Sequence, residues 1–326
     1  MKLSIENIVK ILQLKGVGRK MAFKICNSID FSPTDNELVD IILDISKRQI
    51  FDRIPSYDRA EVLESFQKAE EIIDKSNQKN IEIISFYDSR YPSNLKEIND
   101  PPLIINVKGD SRLLNEKVGI AIIGTREPSD AGVKAGEYFA EVLGKMGFNI
   151  VSGLAKGCDA SAHEGCLKGN GITTAILAHG LHTVYPKENK ILAERIIENG
   201  GILLSEYLYG TGALSNYFVE RDRLQSGLSK ATIVVQTAEK GGTMHAVRAT
   251  IKSRKKLAAV CYNNREMSHE KSLGNQALIR SGEAFALTST NLHEFVDSFD
   301  NVSYLQPATL TVPESKLKVN PQFKLF

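Results

Sequence analysis

VGIAIIGTREPSDAGVKAGEYFAEVLGKMGFNIVSG, residues 118–153, is the stretch that decides the fold. It holds an apolar strand, GIAII, a helix over 130–146 and a second apolar strand, NIV. The alternation continues through the strands TTAIL, GILL, ATIVV and LAAVC, with helices over 159–168, 187–199, 218–227 and 243–254. Short apolar strands that alternate with helices are typical of a parallel sheet with helices on both faces. The pattern predicts an α/β, Rossmann-like core.

Further segments lie before and after this core. The strands IEIISF and LIINV, which begin at residues 81 and 103, predict an edge to the main sheet, so that an extended Rossmann-like domain covers 76–300. Apolar stripes over 1–75 predict a small all-helical domain (SAM/helix-hairpin-helix-like). Its segment Leu14–Ala22, with Gly16 and Gly18, fits either a phosphate-binding hairpin or an ordinary tight helix connection. Residues 301–326 predict a polar C-terminal tail without a winged helix.

Composition limits the classes of protein that this chain fits. Forty-one Lys and Arg residues nearly balance 39 Asp and Glu residues, so a site for an anionic partner has to be a local patch. No window approaches the roughly 20 apolar residues that cross a bilayer. Four cysteines without scaffold spacing fit a reducing compartment, and Cys158, His163 and Cys166 lack the paired spacing of a zinc site. We therefore expect a cytoplasmic protein with no membrane segment, metal or cofactor.

Two loops that follow strands of the core are candidates for phosphate binding. Gly124-Thr125-Arg126 places a bidentate donor at the carboxyl end of a buried strand, where a structural ion pair is the alternative role for Arg126. The absence of Gly-x-Gly-x-x-Gly disfavours a dinucleotide coenzyme. Ser152-Gly153 and Lys156 precede the next helix and predict a backbone nest for an anion. Asp159 is interpreted there as the N-cap of that helix.

The segment Ser205–Ser229 combines an aromatic ring with guanidinium groups. Phe218, Arg221 and Arg223 follow a glycine-bearing loop at helical spacing, which suits a ligand that is both flat and anionic, such as a nucleotide strand. Phe218 as an apolar anchor of the core is the alternative. Lys240, in Lys240-Gly241-Gly242-Thr243, is either a further phosphate contact or a solvated loop lysine.

These motifs together resemble the DNA-processing protein A (DprA, or Smf) family. The resemblance extends from about Ile81 to Gly282 and rests on several runs in the family order: Tyr91-Pro92, Asp100-Pro101-Pro102, IIGTREPS, SGLAKGCDASAH, the segment that starts at Tyr185-Pro186, GGILLSEYLYGT, NYFVERDRLQSGLS, AEKGGT and LIRSG. It implies a cytoplasmic, usually dimeric protein that binds single-stranded DNA, protects incoming DNA during natural transformation and loads RecA recombinase onto it, without a catalytic step.

Carried over by position, the resemblance implies a site in which each motif has a role. Arg126 would contact phosphate, with Gly124 and Thr125 beside it, Ser152-Gly153 and Lys156 would surround it, and Phe218 would meet a base, while Arg221, Arg223 and Lys240 would follow the backbone of the strand. Val219 and Asp222 depart from the family, which commonly has Pro and Asn at those places.

Two other classes of function remain open from the residues. A Rossmann-like fold also suits a nucleotide-cleaving enzyme, for which Glu206 and Glu220 are the only carboxylates to nominate, and the Pro-Gly-Gly-x-Gly-Thr motif of the phosphoribohydrolases is absent. A sensor of a small nucleotide is the other class. Affinity for a mononucleotide against an oligonucleotide distinguishes both from a strand-binding protein.

Overall fold

The computed structural model of the protein describes residues 3–299. The chain begins with helices whose starts are specified locally: Ser4 caps the first, and reciprocal capping boxes pair Thr34 with Glu37 and Asp58 with Glu61. Their apolar stripes pack together and onto the sheet through Leu103, Ile104 and Leu208. These helices are α1 (Ile5–Gln13), α2 (Arg19–Ser28), α3 (Asp35–Lys47) and α4 (Arg59–Gln78). The division into domains at 75/76 stays a prediction.

The rest of the described chain contains one sheet of nine strands, with helices between them. They are β1 (Glu82–Ser85), β2 (Ile104–Lys108), β3 (Gly119–Ile123), β4 (Asn149–Ser152), β5 (Thr173–Ile176), β6 (Ile202–Ser205), β7 (Ser229–Val234), β8 (Lys256–Val260) and β9 (Phe285–Leu287). Their order is β1-β2-β6-β5-β4-β3-β7-β8-β9. The pairs β1–β2 and β2–β6 are antiparallel, at the edge that the sequence predicts, and the remaining pairs are parallel.

Helices cover both faces of the sheet, which confirms the predicted Rossmann-like class. They are α5 (Ser93–Lys96), α6 (Leu113–Glu116), α7 (Asp130–Lys145), α8 (Cys158–Lys168), α9 (Lys190–Glu198), α10 (Ser215–Leu228), α11 (Thr243–Lys252), α12 (Asn264–Met267), α13 (Leu273–Arg280) and α14 (Leu292–Asp297). Along β3, Ile120 and Ile122 pack under α7, whereas Ala121 and Ile123 pack under α11. The five-residue strand is therefore buried on both sides, as its uninterrupted apolar sequence requires.

Three details of the helices differ from the prediction. The helix predicted over 187–199 is a 3-10 turn, Lys187–Asn189, followed by α9. The helix that carries Phe218 begins three residues earlier, at Ser215. Asp159 is not the N-cap of α8, because Gly157 occupies that position with a positive φ of 77° and Asp159 lies inside the first turn.

The strand order reverses between β3 and β7, which lie side by side although the chain visits β4, β5 and β6 between them. Loops that leave neighbouring strands at such a point turn to opposite faces, and the crevice between them is where open α/β sheets bind ligands. Arg126 follows β3, and the Lys240 loop follows β7. No helix within residues 3–299 is long and apolar enough to span a membrane. The predicted tail, 301–326, lies outside the described residues.

Candidate nucleic-acid interface

A cavity of about 540 Å³ opens at the carboxyl ends of β3, β4 and β7. It brings together six of the ten predicted site residues: Gly124, Thr125, Arg126, Phe218, Arg221 and Lys240. The wall also contains Tyr185, Asp222 and His245, which are not among the predicted site residues. Tyr185 opens the Tyr-Pro segment of the resemblance, so that motif was the signal available for it. The other four predicted residues, Ser152, Gly153, Lys156 and Arg223, do not line the cavity.

The loop that carries Arg126 is held by backbone contacts on both sides. Thr125 N–H donates to the carbonyl of Gln236, 2.8 Å away, and the Thr125 carbonyl accepts from Cys158 N–H at 3.1 Å. Gly157 packs directly beneath: a Cβ there would lie 2.5 Å from the Thr125 carbonyl oxygen. The segment after β7 and the start of α8 together fix the loop that presents the Arg126 side chain.

Arg126 and Phe218 form a pair at the mouth of the cavity. The guanidinium carbon of Arg126 lies 5.4 Å from the centroid of the Phe218 ring, within the range of a cation–π contact. The Tyr185 ring is 5.5 Å from the same centroid on a tilted plane. Arg126 is exposed and makes no ion pair with any residue of 3–299, and Phe218 is half-buried, outside the apolar clusters. Neither alternative role, an ion pair for Arg126 or a core position for Phe218, is therefore seen within residues 3–299.

Arg221 lies at the floor of the cavity between two carboxylates. Its side chain is 4% exposed, with Nη1 4.0 Å from an Asp159 carboxylate oxygen and Nε 3.6 Å from Asp222. The Nε is buried and has no hydrogen-bond partner in the described chain. Burial raises the pKa of the Asp159 carboxyl and raises that of Asp222 to about 6. Arg221 is thus a partly neutralised cation at the back of the wall, not an exposed contact along a strand.

The Ser152 to Lys156 segment contributes packing instead of an open anion nest. Ser152 Oγ is buried and donates to the Ile122 carbonyl at 2.7 Å. Gly153 packs against the guanidinium of Arg221, so that no side chain fits there. Lys156 is exposed and pairs with Glu188 at 2.5 Å. Of the three, only the Lys156 ammonium is accessible to a ligand, and it lies off the cavity wall.

Arg223 belongs to a cluster of four charged residues between the helical region and the sheet. Glu206, only 4% exposed, accepts from Arg223 Nη2 at 2.7 Å and from Arg19 Nη1 at 2.6 Å. Arg19 also pairs with Asp100, whose carbonyl accepts from Arg223 Nε at 2.9 Å. Both guanidinium groups are therefore engaged. We call this set, Arg19, Asp100, Glu206 and Arg223, the bridging cluster.

The residues considered for catalysis or metal binding are engaged elsewhere. Glu206 is fixed in the bridging cluster, and Glu220 accepts a hydrogen bond from the Tyr207 hydroxyl at 3.2 Å. His163 is fully buried, and its Nδ1 lies 2.7 Å from Thr173 Oγ1. Burial lowers the pKa of His163 to about 3, so the ring is neutral near pH 7. The described residues contain no group of three or more side chains suited to a metal ion.

A larger cleft of about 1000 Å³ lies between α2 and the loop after β6. The hairpin Gly16-Val17-Gly18 lines it, beside the stacked rings of Tyr207 and Tyr217, whose centroids are 4.2 Å apart. Its cations face the carboxylates of Asp52, Glu206 and Glu220 on the same wall, so its charge is mixed. We therefore place the candidate site at the smaller cavity, where Arg126 is unpaired within residues 3–299 and the strand order reverses.

Comparison with known proteins gives one family and several relatives. Residues 82–299 match the family DNA recombination-mediator protein A. The chain is similar to Protein Smf of Synechocystis sp., with 38% identity over 177 residues, and to DNA processing protein DprA of Bacillus subtilis, with 34% identity over 200 residues. These matches cover 53% and 61% of the chain. They span 44% of the first relative and 67% of the second, so the chain accounts for less than half of the Synechocystis protein.

Two solved structures of similar proteins share the fold. DNA processing protein A from Streptococcus pneumoniae aligns over 92% of this chain and 99% of its own, with a TM-score of 0.74 and 26% identity. DNA processing protein A from Helicobacter pylori, whose structure concerns its single-stranded DNA binding mode, aligns over 67% of this chain and 94% of its own. Its TM-score is 0.59, with 29% identity.

Proposed function

Because the chain belongs to the DNA recombination-mediator protein A (DprA/Smf) family, and every residue of the cavity wall lies inside the matched segment, we propose that it binds single-stranded DNA at this cavity. The proposal extends to this chain what the Helicobacter pylori protein binds. One observation carries it: the guanidinium of Arg126, unpaired in the described chain, lies over a half-buried ring, Phe218, at the point where the strand order reverses.

The chemistry of these residues suits a strand better than a duplex. An aromatic ring stacks only on a base that is already unstacked from its neighbours, and guanidinium and ammonium groups bind the phosphates on either side. Lys240 adds such a charge beside α11, whose first turn holds no acidic residue and whose N-cap makes no side-chain hydrogen bond. Helix N-termini of this kind favour anions.

We further propose the cellular role that the family resemblance implies. The protein protects incoming single-stranded DNA in the cytoplasm and loads RecA recombinase onto it during transformation and recombination, acting as a homodimer and without cleaving the strand. The four free cysteines support a reducing compartment. The engagement of Glu206, Glu220 and His163 in structural contacts supports a binding role over a hydrolytic one.

The test of this proposal is a fluorescence-anisotropy titration of labelled oligo-dT and of its duplex at two salt concentrations. We expect tighter binding of the single strand, with an affinity that falls as salt rises. A cavity of about 540 Å³ also has the size of a small-ligand site, so a nucleotide sensor or a nucleotide-cleaving enzyme is the competing function. If a mononucleotide binds and the strand does not, the protein is a nucleotide sensor or a nucleotide-cleaving enzyme and our proposal is wrong.

Two variants of the mouth of the cavity separate its two contributions. Arg126→Ala should weaken binding to every strand and reduce the steepness of the salt dependence, by about 0.7 in log–log slope for each phosphate that the guanidinium neutralises. Phe218→Ala should cost about 1–3 kcal/mol of binding free energy, because a base no longer stacks on the ring, and leave the slope nearly unchanged. Arg112→Ala is the matched control, since this exposed guanidinium pairs with Asp110 away from the cavity. Unchanged affinity in both cavity variants would exclude this site.

A further inference from the structure

Asp222 occupies a place in the cavity that binding of phosphate does not explain. It lies four residues after Phe218 on α10, so the two side chains share one face of the helix. Both line the same cavity. A carboxylate repels the phosphates of a strand, so its presence beside the stacking ring calls for a partner that donates hydrogen bonds.

The carboxylate of Asp222 has no such partner among residues 3–299. Its side chain is only 18% exposed, and the nearest cation, Arg221 Nε, is 3.6 Å away and makes no hydrogen bond with it. No other described side chain or backbone group donates to it. A carboxylate that is mostly removed from solvent gains stability from hydrogen bonds that replace the hydration it has lost. Apart from the ion pair of Oδ1 with Arg221, the carboxylate oxygens of Asp222 make no hydrogen bond within residues 3–299 and can accept from a ligand in the cavity.

The donors that a DNA strand offers are the N–H groups on its base edges. Guanine carries two of them side by side, N1–H and the N2 amino group, which match the two oxygens of a carboxylate. Thymine has one N–H between two carbonyl oxygens that repel a carboxylate, and adenine and cytosine place their amino group beside a ring nitrogen that accepts. The Phe218 ring can stack on any base, so an ionised carboxylate beside it would add a preference for one base over the others.

We propose that Asp222 selects guanine for the position beside Phe218, by accepting hydrogen bonds from N1–H and N2–H of the base. This inference rests on the proposed function, since it assigns a preferred base to a strand that the cavity binds. It makes Asp222 a specificity-determining residue at a place where the family commonly has asparagine, whose single acceptor oxygen and donor amide do not match the paired donors of guanine.

The ionisation of Asp222 sets the conditions for the experiment. Burial raises the pKa of its carboxyl to about 6, which the nearby charge of Asp159 also favours and the cations Arg221 and Arg126 oppose. The remaining charged or titratable groups on the cavity wall, among residues 3–299, are Tyr185, Lys240 and His245. The carboxylate is ionised at pH 7.5 and mostly protonated at pH 5. The quantity to follow is the ratio of two affinities, because an effect of pH on the binding of all strands cancels in that ratio.

The experiment compares dT oligonucleotides with one central dG, one central inosine or no replacement, using the full chain at pH 7.5. We expect the dG strand to bind about 5- to 100-fold more tightly than the all-dT strand, with the inosine strand between them because it lacks the N2 amino group. In Asp222→Asn the ratio of dG to dT affinity should fall to within about twofold of one, and it should narrow in the wild type at pH 5. Asp222→Ala is the second variant, because it removes the carboxylate without introducing an amide that could bind a base.

The possible results separate the two proposals. Strands that bind with equal affinity whatever their central base, or a dG preference that survives in both Asp222 variants, would overturn the role of Asp222 and leave strand binding intact. Failure of all strands to bind the wild type would instead refute the proposed function, and the base selectivity with it. Loss of the dG preference in variants that still bind oligo-dT is the result that supports the inference.

Discussion

Glu206→Ala is expected to lower the free energy of unfolding by about 3–5 kcal/mol, the usual cost of removing one partner from a buried ion pair. Glu206 is 4% exposed and holds both Arg19 and Arg223. Its removal leaves two guanidinium groups in a partly buried interface, with only Asp100 of the described chain to neutralise them. Denaturant unfolding, with the slope compared between variant and wild type, measures the effect.

Glu64→Ala is the control for this variant. Glu64 pairs with Lys68 one turn away on α4, and both side chains are more than half exposed, so its loss should leave the free energy of unfolding nearly unchanged. Similar small losses in both variants would mean that the bridging cluster adds nothing beyond a surface pair. An unfolding curve for Glu206→Ala with two steps would show that the helical region detaches before the sheet unfolds.

Gly157→Ala is expected to destabilise the protein by about 2–4 kcal/mol and to weaken strand binding with it. The backbone at Gly157 has φ 77° and ψ −125°, a combination that residues with a side chain avoid. A Cβ would also lie 2.5 Å from the Thr125 carbonyl oxygen and 2.6 Å from Arg126 backbone atoms. The loop therefore has to move, and Arg126 moves with it. Thermal unfolding and oligo-dT titration measure the two effects.

Gly210→Ala separates these two causes. Gly210 also has a positive φ, 89°, but a Cβ there would meet nothing within 4 Å among the described residues. Its substitution should cost only the backbone preference, about 1–2 kcal/mol, and leave binding unchanged. If Gly157→Ala bound oligo-dT as well as Gly210→Ala does, the contact beneath Arg126 would have no part in placing that side chain.

The sequence predicted the parts of this molecule that local pattern determines. The alternation of apolar strands and helices identified the parallel sheet, because a strand buried on both faces has to be apolar throughout. The position of Arg126 and Phe218 on the cavity wall was predictable for a different reason: the end of a strand and the first turns of a helix at the carboxyl edge of the sheet both face the crevice.

The ion-pair partners of the charged residues could not be predicted from the local sequence pattern. The spacing of Arg223 predicted a contact with a DNA strand, yet its guanidinium binds Glu206. Glu206 also binds Arg19, which lies 187 positions away in the sequence. Lys156 pairs with Glu188 from another loop in the same way. Asp159 is of a residue type that often caps helices, but the N-cap of α8 is Gly157, at a position where only a glycine fits beneath the Arg126 loop. Contacts between distant segments decided each of these outcomes.

Helix α10 lies between the candidate site and the bridging cluster. Phe218 and Asp222 project from it into the cavity, whereas Glu220 and Arg223 face the cleft and the bridging cluster on the other side. The side chain that would stack on a base and the side chain that binds Glu206 are thus carried by one continuous helix, five residues apart. The helices at the start of the chain line no part of the cavity, yet through Arg19 and Glu206 they support the helix that forms its wall.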